Sequence, residues 1–455
     1  MPDTTPAAPE LLSPAGTLKH LRYAFAYGAN AVYAGQPRYS LRVRNNSFKN
    51  EAALAEGIAE ARARGKQFYL ASNVSPHNDK VRSYLRDLEP IIELGPDALI
   101  MSDPGLIMMV RERWPEQPIH LSVQANAVNY ATVEFWRRQG IQRVILSREL
   151  ALDEIREIRE KVPAMELEVF VHGALCMAYS GRCLLSGYMN HRDANQGACT
   201  NACRWDYKPV AARTDDSGDL IPVREPPSLL VAEPNDPGRA IALHEDEHGT
   251  YIMNSRDLRA VQHVQALADM GVHSLKIEGR TKSVYYAART AQVYRRALND
   301  ATAGRPFDMA LMDDLEALSH RGYTEGFFRR HPPQAYQHYE AGTAHLGSQQ
   351  LAAEVIEADD HWLTLAVKNR FERGDQVLLI TPEGNRRFQL DGLENQQGDT
   401  IQVAPGDGHV VRIPRPDGLG DEALGFAMLA RCLDRHAPDS GATLTQINKQ
   451  PVVHS

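Results

Sequence analysis

The sequence predicts an α/β fold: a (β/α)8 TIM-like barrel with a long cysteine-bearing insertion after its seventh strand, followed by a small C-terminal β-barrel. Over about the first 330 residues, short near-continuous apolar runs alternate with amphipathic helical stretches, the pattern of a parallel sheet covered on its outer face. Eight such runs fit a closed barrel better than an open doubly wound sheet, and no Gly-x-Gly-x-x-Gly follows the first of them. Beyond Pro332 the period changes to two, with Gly, Asn and Asp between the runs, as in antiparallel strands.

In chain order the eight runs are Leu11–Ser13, Ala31–Gly35, Gln67–Asn73, Ala98–Asp103, Ile119–Gln124, Arg143–Ser147, Leu167–His172 and Ser274–Glu278. Helical periodicity covers Thr17–Tyr27, Asn50–Arg64, Tyr130–Gln139 and Lys282–Asn299. Ser13, Asn73, Asp103, Gln124, Ser147, His172 and Glu278 end their runs with a polar group. Any one of these is commonly a strand meeting solvent. As a set they converge on the C-terminal rim, where barrels of this class place their chemistry.

Residues 173–253 read as the insertion. Turn signals at Thr214–Asp219, Glu225–Pro227 and Asn235–Gly238 point to hairpins within it. Regular patterning then resumes with Ser255 as a helix N-cap, an amphipathic stretch Leu258–Met270 and Gly271 as its stop. The later strands are Leu351–Glu357, Trp362–Val367, Gln376–Ile380, Arg386–Leu390 and Thr400–Val403. The resulting organisation is a flexible N-terminus at 1–9, the barrel at 10–332, the β-domain at 336–437 and a flexible tail at 438–455.

Lys and Arg number 50 against 58 Asp and Glu, a net charge of −8, which argues against a protein that coats nucleic acid but not against a local basic groove. Met1–Pro9 lacks the cationic start of a signal peptide, and no apolar stretch approaches the roughly 18–20 residues that span a bilayer. A cytoplasmic protein without membrane contact is therefore expected. Of the five cysteines, Cys176, Cys183, Cys199 and Cys203 crowd into the insertion, while Cys432 stands alone in the apolar run Phe426–Leu433 and reads as packing. In a reducing compartment such a cluster is metal-binding or catalytic rather than disulfide-forming. Four thiolates suit tetrahedral zinc or an iron–sulfur cubane. Zinc ribbons bring two Cys-x-x-Cys knuckles, and the spacings of seven and four residues found here favour the iron–sulfur cluster, with zinc as the alternative.

The run Glu168-Val169-Phe170-Val171-His172-Gly173-Ala174-Leu175-Cys176, continued by Gly181-Arg182-Cys183-Leu184-Leu185-Ser186, resembles the signature of the collagenase-like peptidase family U32. Leu12-Ser13-Pro14-Ala15-Gly16, Ala31-Val32-Tyr33-Ala34-Gly35, Ser274-Leu275-Lys276-Ile277-Glu278-Gly279-Arg280 and Arg321-Gly322-Tyr323 are similar to other parts of that family's pattern. Despite its name, the family includes iron–sulfur enzymes that hydroxylate RNA bases or quinone precursors without molecular oxygen. In length, single barrel and appended β-domain the chain is similar to those members that form 5-hydroxyuridine at the wobble position, uridine 34, of tRNA and depend on prephenate. The resemblance thus implies a 4Fe-4S cluster, prephenate as a required metabolite, and two partners: tRNA through its anticodon loop, and the iron–sulfur assembly machinery. Many family members carry a cysteine just after a Ser-x-Asp-Leu stretch. Here Ser255-Arg256-Asp257-Leu258 is followed by Arg259, so the implied ligand set is Cys176, Cys183, Cys199 and Cys203. The alternatives are a collagenase-like cysteine or metal-dependent peptidase, and a hydroxylase of another RNA base or of a quinone precursor.

Prephenate carries two carboxylates and calls for cationic donors, for which Arg42, Arg44, Arg148, Lys276 and Arg280 lie near the rim. Glu278 and His172 are the candidates for proton transfer at carbon, and Gln124 and Asn126 for reading a pyrimidine edge. His172, four residues before Cys176, also offers the imidazole that a thiol peptidase needs, although such an enzyme uses one cysteine rather than four. Basic stretches at Arg42–Lys49, Arg289–Arg296, Arg329–Arg330, Lys368–Arg373 and Arg386–Arg387, with Tyr285, Tyr286, Phe327 and Phe371 among them, are candidate RNA contacts. The β-domain suits an RNA clamp and self-association equally.

Overall fold

The computed structural model describes residues 8–41, 48, 50–175, 256–320, 322–329 and 347–433, together with six strands between residues 211 and 251. Arg42, Arg44, the four clustered cysteines, Arg330 and the expected tail lie outside the described residues. Of the expected flexible N-terminus only Ala8 and Pro9 are described, and Pro9 is buried.

All eight expected barrel strands form: β1 (Glu10–Pro14), β2 (Ala31–Gly35), β3 (Gln67–Ser72), β4 (Ala98–Met101), β5 (Ile119–Leu121), β6 (Arg143–Ile145), β7 (Glu166–Ala174) and β8 (Ser274–Ile277). Neighbours pair in parallel from β1 to β7, and β8 closes the ring by pairing with both β7 and β1. Helices packed outside them include α1 (Leu18–Ala26), α2 (Glu51–Ala63), α3 (Asn78–Glu93), α4 (Pro104–Arg113), α5 (Tyr130–Arg138), α6 (Leu152–Lys161) and α7 (Val284–Thr302). Side chains cap them as the sequence implies: Thr17, Asn50, Asp103, Asn129 and Ser283 each accept a backbone N–H of the first turn.

One stretch departs from expectation. Leu258 does not begin a helix. Asp257–Arg259 is a short strand, antiparallel to the end of β7 and parallel to Tyr323–Thr324, and helix begins only beyond it, at Val264–Asp269. Pairing on both sides, with the end of β7 and with Tyr323–Thr324, holds this stretch extended and buries Leu258 against the barrel, which overrides the helical period that follows.

The insertion contains the expected hairpins, Ala211–Thr214 with Leu220–Val223, Leu230–Glu233 with Asp236–Ala242, and His244–Asp246 with Gly249–Tyr251. The C-terminal domain is antiparallel: β9 (Gln349–Ala358), β10 (Trp362–Val367), β11 (Gln376–Thr381), β12 (Gly384–Gln389), β13 (Val410–Pro414) and β14 (Met428–Cys432) form most of a seven-stranded sheet. Residues 400–402 are not strand; Val403–Ala404 pairs with Phe371–Glu372 in a separate ribbon. The domain has its own core around Leu363, Leu365, Phe371, Leu379 and Ile413. Its other face packs on α1 and α7: the Tyr27 hydroxyl donates to the carbonyls of Ile380 and Phe426, and Gln292 Nε2 to that of Thr381. Cys432 is half-buried against the barrel's hydrophobic cluster, as its apolar neighbourhood implies.

The lower half of the barrel lumen is ionic. Arg143 on β6 bonds Glu10 on β1 at 2.7 Å, and because β7 and β8 lie between those strands in the wall, the bond crosses the interior. Arg143 also bonds Glu166 at 2.8 Å and Glu168 at 3.3 Å, while the Tyr69 hydroxyl donates to Glu10 at 2.7 Å. The Lys276 amine sits 2.7 Å from Glu168, with both side chains buried. Paired this fully, the buried charges hold one another in place and support the mouth above them.

Candidate active site at the barrel mouth

Two residues beyond Lys276 on the same strand face, about 6–7 Å higher, Glu278 enters the mouth. Its carboxylate accepts the Tyr33 hydroxyl at 3.2 Å and lies 3.9 Å from Arg148 Nη2. Arg148 follows β6, so this pair again spans the lumen. Its guanidinium carbon lies over the Phe170 ring, 3.9 Å from the centroid, a cation–π contact that helps hold it in place. Arg280 is buried, donates to Ser40 Oγ at 2.8 Å and stands 5.5 Å from the Tyr33 ring centre. Arg148, Arg280, Glu278 and Tyr33 thus form a charged half-ring. Burial and the Glu278 carboxylate keep the Tyr33 phenol well above its usual range, so it remains a hydrogen-bond donor.

The opposite half-ring is neutral. Asn73 after β3, Ser102 after β4, and Ser122 and Gln124 after β5 form one network. Asn73 Nδ2 donates to Ser122 Oγ at 3.4 Å, Ser122 Oγ to Gln124 Oε1 at 3.1 Å, and Ser102 Oγ to the Asn73 carbonyl at 3.2 Å. Asn126, at φ 54°, returns its amide to the Gln124 carbonyl at 2.8 Å and closes the turn. A mouth with cations on one side and oriented amides and hydroxyls on the other can hold an anionic small molecule beside a planar polar base.

Two expected site residues lie elsewhere. Lys276 is the counter-ion of Glu168 one layer below the mouth, 3% exposed, rather than an anion-binding donor. Burial lowers its pKa, opposed by the Glu168 charge. His172 is absent from the mouth: its ring packs against Tyr286, Tyr294 and Tyr323 at 5.4–5.7 Å, with Tyr294 Oη 3.4 Å from Nδ1. Tyr286 and Tyr294 belong to α7, so the imidazole lies between barrel wall and helix. Burial there, with the nearby Arg259, Lys282 and His320 charges, pushes its pKa down to about 3. Such an imidazole is a poor base for a thiol, which weakens the peptidase reading.

Among the candidate RNA contacts, Arg289 is fully buried and paired with Asp314, and Tyr285, Tyr286 and Phe371 are buried, which removes all four. Arg370, Arg373, Arg386 and Arg387 of the β-domain are exposed, as is Phe327.

Sequence reasoning missed Tyr33 and Ser40 as parts of the site, although Tyr33 lies in one of the motif runs. The signal was a tyrosine at an inward position one pair step below the strand end. Gly173 also positions the site. At φ 107°, a Cβ there would stand 2.4 Å from the Glu278 carbonyl, so only glycine lets β7 pass this close to Glu278.

Fold and mouth together define a parallel (β/α)8-barrel protein with a polar catalytic-type rim and an appended antiparallel β-domain. The chain belongs to peptidase family U32: residues 16–338 match the model of that family and residues 347–431 the model of its C-terminal domain. It is 59% identical over 441 residues to tRNA hydroxylation protein P of Escherichia coli strain K12, covering 93% of this chain and 96% of that one. Identity to tRNA hydroxylation protein P of Haemophilus influenzae is 57% over 452 residues, 94% of this chain and 97% of that one. A 23S rRNA 5-hydroxycytidine synthase of Escherichia coli is 28% identical over 423 residues, 90% of this chain and 58% of that protein. Among the described residues, no helix is long and apolar enough to cross a membrane.

Proposed function

We propose that this chain is a tRNA hydroxylase that forms 5-hydroxyuridine at the wobble position, uridine 34, in a prephenate- and iron–sulfur-dependent reaction without molecular oxygen. The observation that carries the reading is the 59% identity to tRNA hydroxylation protein P across 93% of the chain. The mouth supports it. Arg148 and Arg280 are the donors for the two carboxylates of prephenate, held by Phe170 and Ser40 so that little ordering remains on binding. Glu278, between Tyr33 and Arg148, is the group for proton removal from carbon. Gln124 and its network face the base, which must leave the anticodon stack to reach the mouth. The exposed arginines of the β-domain supply a basic surface for the RNA backbone.

The cysteine segment fits the implied cofactor. Leu175 is the last described residue before Cys176, and one residue earlier β7 ends at the mouth, where the Glu278 N–H bonds the His172 carbonyl at 2.8 Å. Four thiols, Cys176, Cys183, Cys199 and Cys203, are the donor set of a 4Fe-4S cubane, which would supply electron-transfer chemistry beside that mouth. Analysis of tRNA nucleosides from a deletion strain tests the function. Loss of 5-hydroxyuridine derivatives, restored by this chain, is expected; an unchanged profile rules it out.

A further inference from the structure

We infer that Asn73 sets the polarity of a hydrogen-bond relay that makes Gln124 present its amide nitrogen to the target base, and that this relay selects uracil over cytosine. The inference rests on the tRNA-hydroxylase reading and specifies how that site chooses its base. The relay starts from a group whose direction is fixed. The backbone N–H of Leu41 can only donate, and it lies 3.4 Å from Asn73 Oδ1, so the amide oxygen of Asn73 faces it. Asn73 Nδ2 must then donate onward, to Ser122 Oγ at 3.4 Å. Asn73 follows β3 and Ser122 follows β5, so this bond passes over β4 inside the mouth. Ser122 has one proton, and it goes to Gln124 Oε1 at 3.1 Å.

With its oxygen engaged, half-buried Gln124 offers two N–H donors, and Nε2 has no hydrogen-bond partner among the described residues. Uracil carries an acceptor, O4, where cytosine carries the N4 amino donor. Donors aimed at that position hold uracil and oppose cytosine donor to donor. The backbone around Gln124 is fixed independently by the Asn126 amide, so rotation of the side chain is the remaining freedom.

Asn73→Asp reverses the relay. A carboxylate accepts from both Leu41 and Ser122, Ser122 then accepts from Gln124 Nε2, and Gln124 turns its oxygen to the base. The test uses holoenzyme purified anaerobically and two anticodon stem-loop RNAs that differ only in U or C at position 34, with affinities read by fluorescence anisotropy. The expected result is a wild-type preference for the U34 loop of about tenfold, with Asn73→Asp moving the ratio about tenfold or more toward C34. Ser122→Ala, which cuts the relay without reversing it, is expected to level the two affinities, and it carries the decision if Asn73→Asp does not fold. A wild-type preference left intact by folded variants overturns the relay while the function stands. A wild type that binds neither loop overturns the tRNA reading and the relay together.

Discussion

Replacing Lys276 by Met separates the role its place in the sequence implies from the role its contacts define. In the structure the amine is 2.7 Å from Glu168, and both groups are almost wholly buried. Removing one member of a buried pair typically costs about 3–5 kcal/mol, because the other charge is left without compensation. Glu168 keeps a second partner, Arg143 at 3.3 Å, so the lower end, about 3 kcal/mol, is expected. Adding Glu168→Gln removes the stranded charge, and Arg143 retains Glu10 and Glu166 at 2.7 and 2.8 Å. The double variant should therefore recover about half of the loss or more. Urea unfolding supplies the stabilities, and product formation well below the unfolding transition supplies the activities. Lys276→Met should be markedly less stable yet retain most of its kcat/KM for prephenate while folded. Unchanged stability with lost turnover would falsify this reasoning and return Lys276 to the substrate.

Arg148→Lys keeps the charge but loses the fork and the guanidinium contact with Phe170, so KM for prephenate should rise about tenfold with kcat much less affected; equal KM values exclude Arg148 from the anion site. Glu278→Gln should lower kcat by about a hundredfold or more with prephenate affinity preserved, measured in single-turnover and binding assays; full turnover would remove Glu278 as the proton acceptor. Serine at Cys176, Cys183, Cys199 or Cys203 should each deplete iron and sulfide from about four per chain, whereas Cys432→Ser should leave both unchanged; iron retained in all four loop variants defeats the ligand assignment. His172 takes up a proton only near pH 3 when folded but near 6.5 when unfolded, so its contribution is complete above about pH 6.5 and is lost as pH falls, at about 1.4 kcal/mol per pH unit. His172→Phe should shrink the loss of unfolding free energy between pH 7 and 5 by about 2 kcal/mol, and identical pH slopes contradict a buried neutral ring.

The barrel was legible because each strand is covered on its outer face, which writes it as an apolar run that local composition suffices to detect. The polar ends of β3, β5 and β8 likewise marked the rim, and Gln124 and Glu278 stand in the mouth accordingly. What local reading does not contain is pairing between strands far apart in the chain. Arg143 and Glu10 are 133 residues apart, and Lys276 and Glu168 are 108 apart, so four charges that satisfy one another look in sequence like isolated strand residues. Read from the sequence alone, Lys276 therefore suits a substrate donor, and only the fold shows its partner Glu168.

His172 shows a second limit. Strict alternation along β7 puts Glu166, Glu168, Phe170 and His172 on one face, and the first three do face the lumen. Between Phe170, opposite Lys276, and His172, opposite Ile277, the ladder shifts by one residue and Val171 is left over. A one-residue bulge exchanges the faces of everything beyond it. The Val171 carbonyl accepts the Tyr294 hydroxyl at 2.7 Å and the Ala260 N–H at 2.9 Å, so groups from α7 and from the residue that follows the Asp257–Arg259 strand hold the bulge open. The imidazole is thereby carried out of the mouth and in among three tyrosines. The bulge depends on partners about 90 and 120 residues downstream of Val171, so no window around His172 could reveal it.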